Sequence, residues 1–306
     1  MIHKIEITNH LGQSVELELM FPEKSGFIVQ RIDGLGPAKA NINNTELAGM
    51  DGAIFNSSRL LSRNIVLDIK FLPGSTIEDT RLKSYKYFPT KNRVELKITS
   101  NTRVCKTFGY VESNEVNIFS NAVYTQISII CPDPYFYAID PSVVYLAGIH
   151  SVFEFPFSNE SLVSPLLEFS QIDLTTINNV EYTGEISVGM LIHIHALGVA
   201  ENITLYNEFT LETMEIDTDK LLLMIGGEGV TDGIIAGDDI FINTVIGKKS
   251  AILLREGVYY NILNALNKDA DWFQLSKGPN VIGFICDAGA DNLQIKIEHE
   301  TLYEGV

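Results

Sequence analysis

The residues best suited to metal chemistry are two histidines, His193 and His195, in a run with strand character. Side chains at positions i and i+2 of a strand share one face, so both imidazoles could bind the same ion. The sequence identifies no third ligand beside them. We therefore favour two strand-surface histidines over a metal site, and we expect neither a metal nor a cofactor.

A second candidate is the glycine- and acid-rich stretch at residues 226–239, which contains Glu228, Asp232, Asp238 and Asp239. Calcium prefers carboxylate oxygens, but the spacing of these residues differs from that of an EF-hand loop. We favour an acidic loop over a calcium site. Asp238 and Asp239 are adjacent, so on a strand they point to opposite faces and make a poor acid–base pair.

No arrangement typical of an enzyme is found. Gly34 and Gly36 lack the third glycine and the strand–helix context of a dinucleotide-binding loop. A Gly-x-Ser-x-Gly elbow is missing, and no Cys–His pair can be argued from the sequence. The sequence therefore predicts a structural or binding protein and not an enzyme.

Length and charge narrow the class further. A chain of 306 residues is typical of two domains. The net charge is −17, which argues against nucleic acid and anionic membranes as partners, because both attract clustered Lys and Arg. Cys105 and Cys131 lie in apolar strands and indicate buried thiols. Without a secretory signal or an apolar run of membrane-spanning length, we expect a protein that folds in the cytoplasm and does not insert into membranes.

The first half of the chain has strand signals and one helix signal. Alternation at residues 2–8 and 15–20 predicts a hairpin, and residues 59–71 predict one long strand. The polar residues 43–56 predict a long exposed loop. Residues 76–88 predict a helix.

Two features support that helix. Ser75 and Glu78 fit a capping box at its start. One helical face is predicted to pack on the sheet, and its members are Ile77, Leu82, Tyr85 and Phe88.

The second half predicts short strands at nearly regular spacing, which is the pattern of an all-β sandwich. The predicted strands include residues 152–157, 166–169, 208–214, 220–225 and 249–254.

A domain seam is predicted at Cys131, Pro132, Asp133 and Pro134. Proline cannot donate to a sheet ladder and favours an extended residue before it, so the preceding sheet must stop here. The charge distribution agrees, because residues 1–150 carry 15 basic and 15 acidic side chains, whereas residues 151–306 carry 7 and 24. We expect domains at residues 1–140 and 141–306, with the prolines setting the angle between them.

Several stretches together resemble the distal tail protein family of siphophages, and they occur in the right order over essentially the whole chain. The most telling are the Cys-Pro-Asp-Pro-Tyr-Phe exit at residues 131–136 and the closing segment at residues 272–282. The turn at residues 34–36, the loop at 49–52, the strand at 63–67 and residues 214–218 belong with them.

This resemblance implies a mainly β protein. Its N-terminal domain would be a β-sandwich or split barrel with one helix, assembling as a hexameric ring continuous with the tail tube. Its C-terminal domain would be a galectin-like β-sandwich. The protein would be a structural hub in the virion of a siphophage or prophage, at the tail tip, assembled in the host cytoplasm. Its partners would be the tail tube protein, a tail-tip protein, and receptor-binding or baseplate proteins.

A ring requires complementary surfaces on each subunit. We expect the exposed loop to supply them, with Asn44, Met50, Asp51 and Arg59 as candidate contacts. The alternative function is a carbohydrate-binding module used in host attachment. That role needs an exposed aromatic ring beside a polar cluster, and the sequence does not place one.

Overall fold

The computed structural model describes residues 2–49, 51–72, 76–117, 123–150, 171–173, 176–225 and 233–306. The chain forms two compact units, residues 1–139 with 302–306, and residues 140–301. Strands dominate both units, which confirms the mainly β prediction. In the ranges described, neither α-helix has the length and apolar character needed to cross a membrane.

Up to Ile139, the described part of the first unit has ten strands and one helix. They are β1 (Ile2–Asn9), β2 (Ser14–Glu18), β3 (Phe27–Asp33), β4 (Ala40–Thr45), β5 (Ile54–Leu60), β6 (Arg63–Phe71), α1 (Ile77–Tyr87), β7 (Arg93–Ser100), β8 (Val104–Asn117), β9 (Tyr124–Cys131) and β10 (Phe136–Ala138).

The main sheet of this unit has the strand order β2-β1-β7-β8-β9-β6-β3, and neighbouring strands are antiparallel. Its strands alternate between buried and less buried residues because successive side chains point to opposite faces. In β6, for example, Ile65, Leu67 and Ile69 are fully buried. The residues between them, Val66 and Asp68, are only partly buried.

The predicted helix is confirmed, but its cap and its buried face differ from the prediction. Thr76 is the N-cap and accepts a hydrogen bond from the Asp79 N–H, whereas Ser75 lies outside the described residues. Of the predicted face, Ile77 and Phe88 pack on the core of the first unit, whereas Leu82 and Tyr85 are exposed. The helix instead buries the short side chains of Thr80 and Ser84. Small residues allow a close approach, and Thr80 packs near Gly26 and donates to the Leu72 carbonyl at 3.3 Å.

The predicted seam lies inside the first unit. Cys131 ends β9, but the chain rejoins the sheet after Pro134 as β10, which pairs with β8. Asp133 fixes this turn by accepting hydrogen bonds from the Tyr135 N–H at 3.1 Å and from the Tyr137 hydroxyl. The two prolines therefore stiffen a turn within one unit, and the boundary between units falls after Ile139.

The described residues of the second unit form eleven strands and one helix. They are β11 (Ser142–His150), β12 (Gln171–Asp173), β13 (Ile177–Tyr182), β14 (Leu191–Ala196), β15 (Ile203–Asn207), β16 (Thr213–Ile216), α2 (Thr218–Ile225), β17 (Asp239–Asn243), β18 (Ser250–Arg255), β19 (Val258–Asn261), β20 (Gly278–Ile285) and β21 (Leu293–His299).

The strands described in this unit form two sheets, with the orders β12-β11-β21-β14-β17-β18-β19 and β13-β20-β15-β16. Several strands of each sheet, such as β14 and β15, bury every other residue. Two sheets that each hide one face are the arrangement of a β-sandwich. The strands predicted at residues 152–157 and 166–169 lie outside the described residues.

Of the strands predicted in this unit, the one at residues 220–225 was wrong, and the one at residues 208–214 is strand only at Thr213 and Met214. Residues 220–225 are helical, because Asp217 accepts the Lys220 N–H at 3.0 Å and begins α2 in the manner of an N-cap. Residues 208–212 form a tight turn, because the buried Asn207 side chain accepts the Phe209 N–H at 3.0 Å. An aspartate or asparagine side chain that bonds the backbone ahead of it interrupts a strand.

The end of the chain returns to the first unit, although the sequence predicted a second domain running to Val306. A last strand, β22 (Leu302–Tyr303), pairs antiparallel with β10. Arg103 stacks over the Tyr303 ring at 4.4 Å and donates to the Gly305 carbonyl at 3.0 Å. The Val306 N–H bonds the Leu35 carbonyl at 3.1 Å. The second unit is therefore inserted between β10 and β22.

Arg63 joins the parts of the first unit. It is 3% exposed, and its guanidinium donates to four backbone carbonyls, those of Pro134, Gly34, Gly36 and Glu304. It also lies 4.3 Å above the Phe136 ring. No carboxylate among the described residues pairs with it, and burial lowers its pKa.

Gly34 is required beside this arginine. Its φ is +86°, and a Cβ there would lie 2.0 Å from the Asn64 carbonyl oxygen. Any other residue would therefore push the turn away from the carbonyl positions that Arg63 needs.

We predict that Arg63→Ala destabilises the first unit by on the order of 3 kcal/mol, because it leaves buried carbonyls without donors. Arg63→Lys should recover only part of this loss, since an ammonium cannot reproduce the guanidinium fork. Guanidinium chloride unfolding followed by circular dichroism measures the change. The exposed Arg59→Ala is the control and should change stability by less than about 0.5 kcal/mol. An Arg63→Ala protein as stable as the wild type would contradict the prediction.

We also predict that, in a chain ending at Thr301, the backbone amides of β10 lose protection against hydrogen exchange. This effect is expected although β10 lies far from Thr301 in sequence. The deletion removes the β22 ladder and the Glu304 carbonyl that Arg63 bonds. Hydrogen–deuterium exchange at residues 136–138 should become faster. Removing Val306 alone deletes the bond to Leu35 and should have a smaller effect. Equal exchange in the wild type and the Thr301-terminated chain would rule out this role.

Candidate functional site

Strands β4 and β5 form a separate two-stranded hairpin, which we call the arm. It is a sheet of its own, apart from the main sheet of the first unit. Every residue of both strands is exposed. At its base, the Leu61 N–H bonds the Lys39 carbonyl at 3.0 Å, and nearer its tip Asn56 donates to the Thr45 hydroxyl at 2.6 Å.

The register gives the arm an apolar face and a polar face. Ala40 pairs with Leu60, Ile42 with Ser58, and Asn44 with Phe55 across a bulge. Directly paired residues share a face, so Ile42, Phe55 and Leu60 lie on one side. Asn41 pairs with Arg59, and Asn43 pairs with Ser57, on the other side.

This apolar face lacks a cover within the described residues. Ile42 is 58% exposed and Phe55 is 62% exposed. A lone two-stranded hairpin is marginally stable in water at best. Burying large apolar side chains stabilises by about 1.5–3 kcal/mol each, so covering this face would add several kcal/mol. The arm therefore has the properties of a contact surface.

Only some of the predicted contact residues lie on the strands of the arm. Asn44 and Arg59 are exposed residues of β4 and β5, and they occupy opposite faces. Asp51 is exposed between the strands, and Met50 lies outside the described residues. The predicted loop at residues 43–56 is strand at both ends, and the predicted long strand at 59–71 breaks at Leu61 and Ser62.

The sequence interpretation missed the apolar residues of the arm, above all Ile42 and Phe55. They stand among asparagines and serines, so their local environment resembles a polar loop. Their shared face depends on the pairing of two segments and on the bulge between Asn43 and Asn44. The sequence did carry one signal for this face. Ile42 and Phe55 are isolated apolar residues at similar distances on either side of the turn, which is a pattern of a hairpin with one apolar face.

The buried thiols predicted in the first unit are observed. Cys105 and Cys131 are both fully buried, and burial raises the pKa of each to about 11. A thiol with such a pKa remains protonated at neutral pH and reacts poorly. Cys131 therefore belongs to the core and not to a reactive site.

The structure brings the two histidines of the second unit to one carboxylate. Nε2 of His193 and Nδ1 of His195 both lie 2.8 Å from Oδ1 of Asp239. Burial raises the pKa of Asp239, but the hydrogen bonds from the imidazoles outweigh it and hold that pKa below its usual value. His193 also stacks on Phe241, with ring centroids 4.5 Å apart.

The neighbouring aspartate has a different partner. Asp238 is 1% exposed and binds Arg255, with Oδ1 at 2.8 Å from Nε. Its Oδ2 accepts the Ile235 N–H at 2.9 Å. Asp238 and Asp239 are thus both engaged by other side chains, whereas Glu228 and Asp232 lie outside the described residues. Within the described ranges, no group of three or more His, Cys, Asp and Glu side chains could hold a metal ion.

Searches by sequence find no matching protein-family model and no matching curated protein. In fold, the chain is similar to the Dit (gp 19.1) protein of phage SPP1, with a TM-score of 0.62 and 13% identity. The match covers 97% of this chain and 98% of that one. The SPP1 protein is described as a paradigm of the hub adsorption apparatus in phages that infect Gram-positive bacteria.

Two structures of the phage P2 baseplate in its activated conformation, with Ca and with Sr, also match, over 98% and 97% of this chain. Their TM-scores of 0.45 and 0.40, at 11% and 10% identity, are too low to support an argument. The similarity to the SPP1 protein confirms, in the fold, the resemblance to distal tail proteins. This chain has the fold of a phage tail hub protein.

Proposed function

We propose that this protein is a structural hub of a siphophage or prophage tail tip. It forms a ring that joins the tail tube to the tail-tip and receptor-binding or baseplate proteins. The observation that carries the proposal is the fold shared with the SPP1 hub protein over nearly the whole of both chains. No enzymatic step is part of this function.

The ring is a hexamer of this chain, built by residues 1–140, and the arm supplies a contact between neighbouring copies. A closed ring uses two different surfaces of each subunit, so one copy offers a surface that the next one covers. The apolar face of the arm, with Ile42, Phe55 and Leu60, is suited to be covered in this way. Asn44, Met50, Asp51 and Arg59 remain the candidate polar contacts around it.

The second unit serves as the docking domain for other tail proteins, with a galectin-like sandwich as its proposed fold. Residues 140–301 carry the whole net charge of the chain, with 7 basic and 24 acidic side chains. Like charges repel, so its partners would present basic or neutral surfaces. The protein resides in the virion at the tail tip after assembly in the host cytoplasm, and it binds neither nucleic acid nor membrane.

The carbohydrate-binding alternative needs an exposed aromatic ring. The second unit exposes the rings of Phe209 and Tyr259, at 64% and 70%. An exposed ring by itself favours a sugar site no more than a contact with another protein. We therefore retain the hub as the proposed function.

We predict that the purified protein forms six-fold rings and that Phe55→Ser shifts it toward monomers. The substitution removes the largest exposed apolar side chain of the arm without touching the core of the first unit. Losing such a buried anchor at an interface costs about 2 kcal/mol or more, or roughly a thirtyfold weaker association. Negative-stain imaging and light scattering after size exclusion measure the rings and their mass.

Ile246→Ser is the matched control, because Ile246 is 76% exposed but lies in the second unit. It should leave the rings intact. A wild-type protein that stays monomeric at high concentration would count against ring formation without the tail. Rings that survive Phe55→Ser would show that the arm is not the contact.

A further inference from the structure

A cleft of about 210 Å³ opens at the base of the arm on the first unit. Five of the residues that line it are apolar or aromatic, and they are Pro37, Ala38, Leu60, Pro134 and Tyr135. Arg63 and Glu304 complete the lining. An apolar cavity of about 150 Å³ is large enough to hold benzene. The cleft therefore has room for one aromatic side chain.

The walls of the cleft are fixed by hydrogen bonds within the subunit itself. Arg63 donates to the carbonyl of Gly36, which precedes Pro37, and to the carbonyl of Pro134. The Tyr135 N–H donates to the Asp133 carboxylate at 3.1 Å. Because the cleft is formed in advance, filling it costs little ordering entropy.

We propose that this cleft receives Phe55 of the neighbouring copy in the ring. The inference rests on the proposed ring and adds the second of its two contact surfaces. Each subunit of a closed ring meets its two neighbours through different patches, so a projecting side chain on one patch requires a recess on the other. The arm supplies the projecting side chain, and the cleft supplies the recess.

The exposure of its ring selects Phe55 as this side chain. Among the described residues of the first unit, the exposed phenylalanines are Phe21 and Phe55, at 53% and 62%. The Lys24 ammonium already lies 5.2 Å from the centre of the Phe21 ring. Phe55 has the more exposed ring, and it stands on the apolar face of the arm.

Phe55 can enter the cleft of another copy but not that of its own chain. A strand rises about 3.4 Å per residue, so Phe55 lies roughly 17 Å along β5 from Leu60, which lines the cleft. A phenylalanine side chain does not span this distance. Only a second copy can therefore bring this ring to the cleft.

Arg63 favours an aromatic side chain in the cleft over an aliphatic one. Its guanidinium stacks on the Phe136 ring and also lines the cleft. A planar cation attracts the face of an aromatic ring, and this attraction is stronger where water is excluded. Ile42, on the same face of the arm, cannot make this interaction.

The first test places the photoreactive residue p-azidophenylalanine at position 55 of the full-length protein, which keeps the aromatic ring. Copies with the probe are assembled with isotope-labelled copies that lack it. After illumination, mass spectrometry identifies the joined peptides. We expect cross-links to the labelled chain at residues 37–38 and 134–135. The same probe at position 21 is the control and should not reach these residues.

The outcomes separate this inference from the ring itself. Rings in which the probe at position 55 joins other residues only would overturn the inference and leave the ring standing. Cross-links at the cleft in an assembly that does not have six copies would support the contact and contradict the hexamer. A protein with neither assembly nor cross-links between chains would overturn both.

A double-mutant cycle provides an independent measurement. Ala38→Trp fills the cleft and Phe55→Ala removes the ring, so each should weaken association by about tenfold or more. Once one change has abolished the contact, the other removes nothing further, so the double variant should associate about as well as the weaker single variant. Analytical ultracentrifugation measures association, and circular dichroism reports whether each variant is folded. Losses that add in a folded double variant would contradict the insertion of Phe55 into the cleft.

Discussion

The first unit depends on one buried cation that has no anionic partner within the described residues. The guanidinium of Arg63 is satisfied by backbone carbonyls from the turn after β3, from the turn at Pro134 and from Glu304 near the end of the chain. A buried charge is tolerated only when its donors are hydrogen-bonded. The folded first unit must therefore bring all three segments to one point.

The main sheet around Arg63 stabilises the first unit, whereas the arm provides an exposed surface. Strands such as β6 bury alternate residues and stabilise the unit by themselves. The arm lies directly before β6 in the chain, and none of its strand residues is buried. A rigid sheet thus positions a hairpin whose apolar face gains stability only when another surface covers it. Such a division is suited to a protein that assembles.

The second unit uses neighbouring residues for opposite purposes. Asp238 points inward and pairs with Arg255, which closes the segment that precedes β17. Asp239 points outward and accepts from two histidines on β14. The alternation of side chains along a strand separates a structural ion pair from a solvent-facing cluster by a single residue. The excess of acidic residues lies entirely in this unit and sets the electrostatic character of its surface.

By itself, the sequence determined the local structure: the alternating strands of the first sheet, the helix at Ile77–Tyr87, and the charge difference between the two halves. The strands and the helix follow from interactions between residues close in sequence and from burial of one face of each element, and the charge difference follows from composition. Only the tertiary structure decided the amphipathic arm, the return of β22, and the meeting of Asp239 with His193 and His195. The reason is that cross-strand register joins residues distant in sequence, and no local pattern encodes which segments pair.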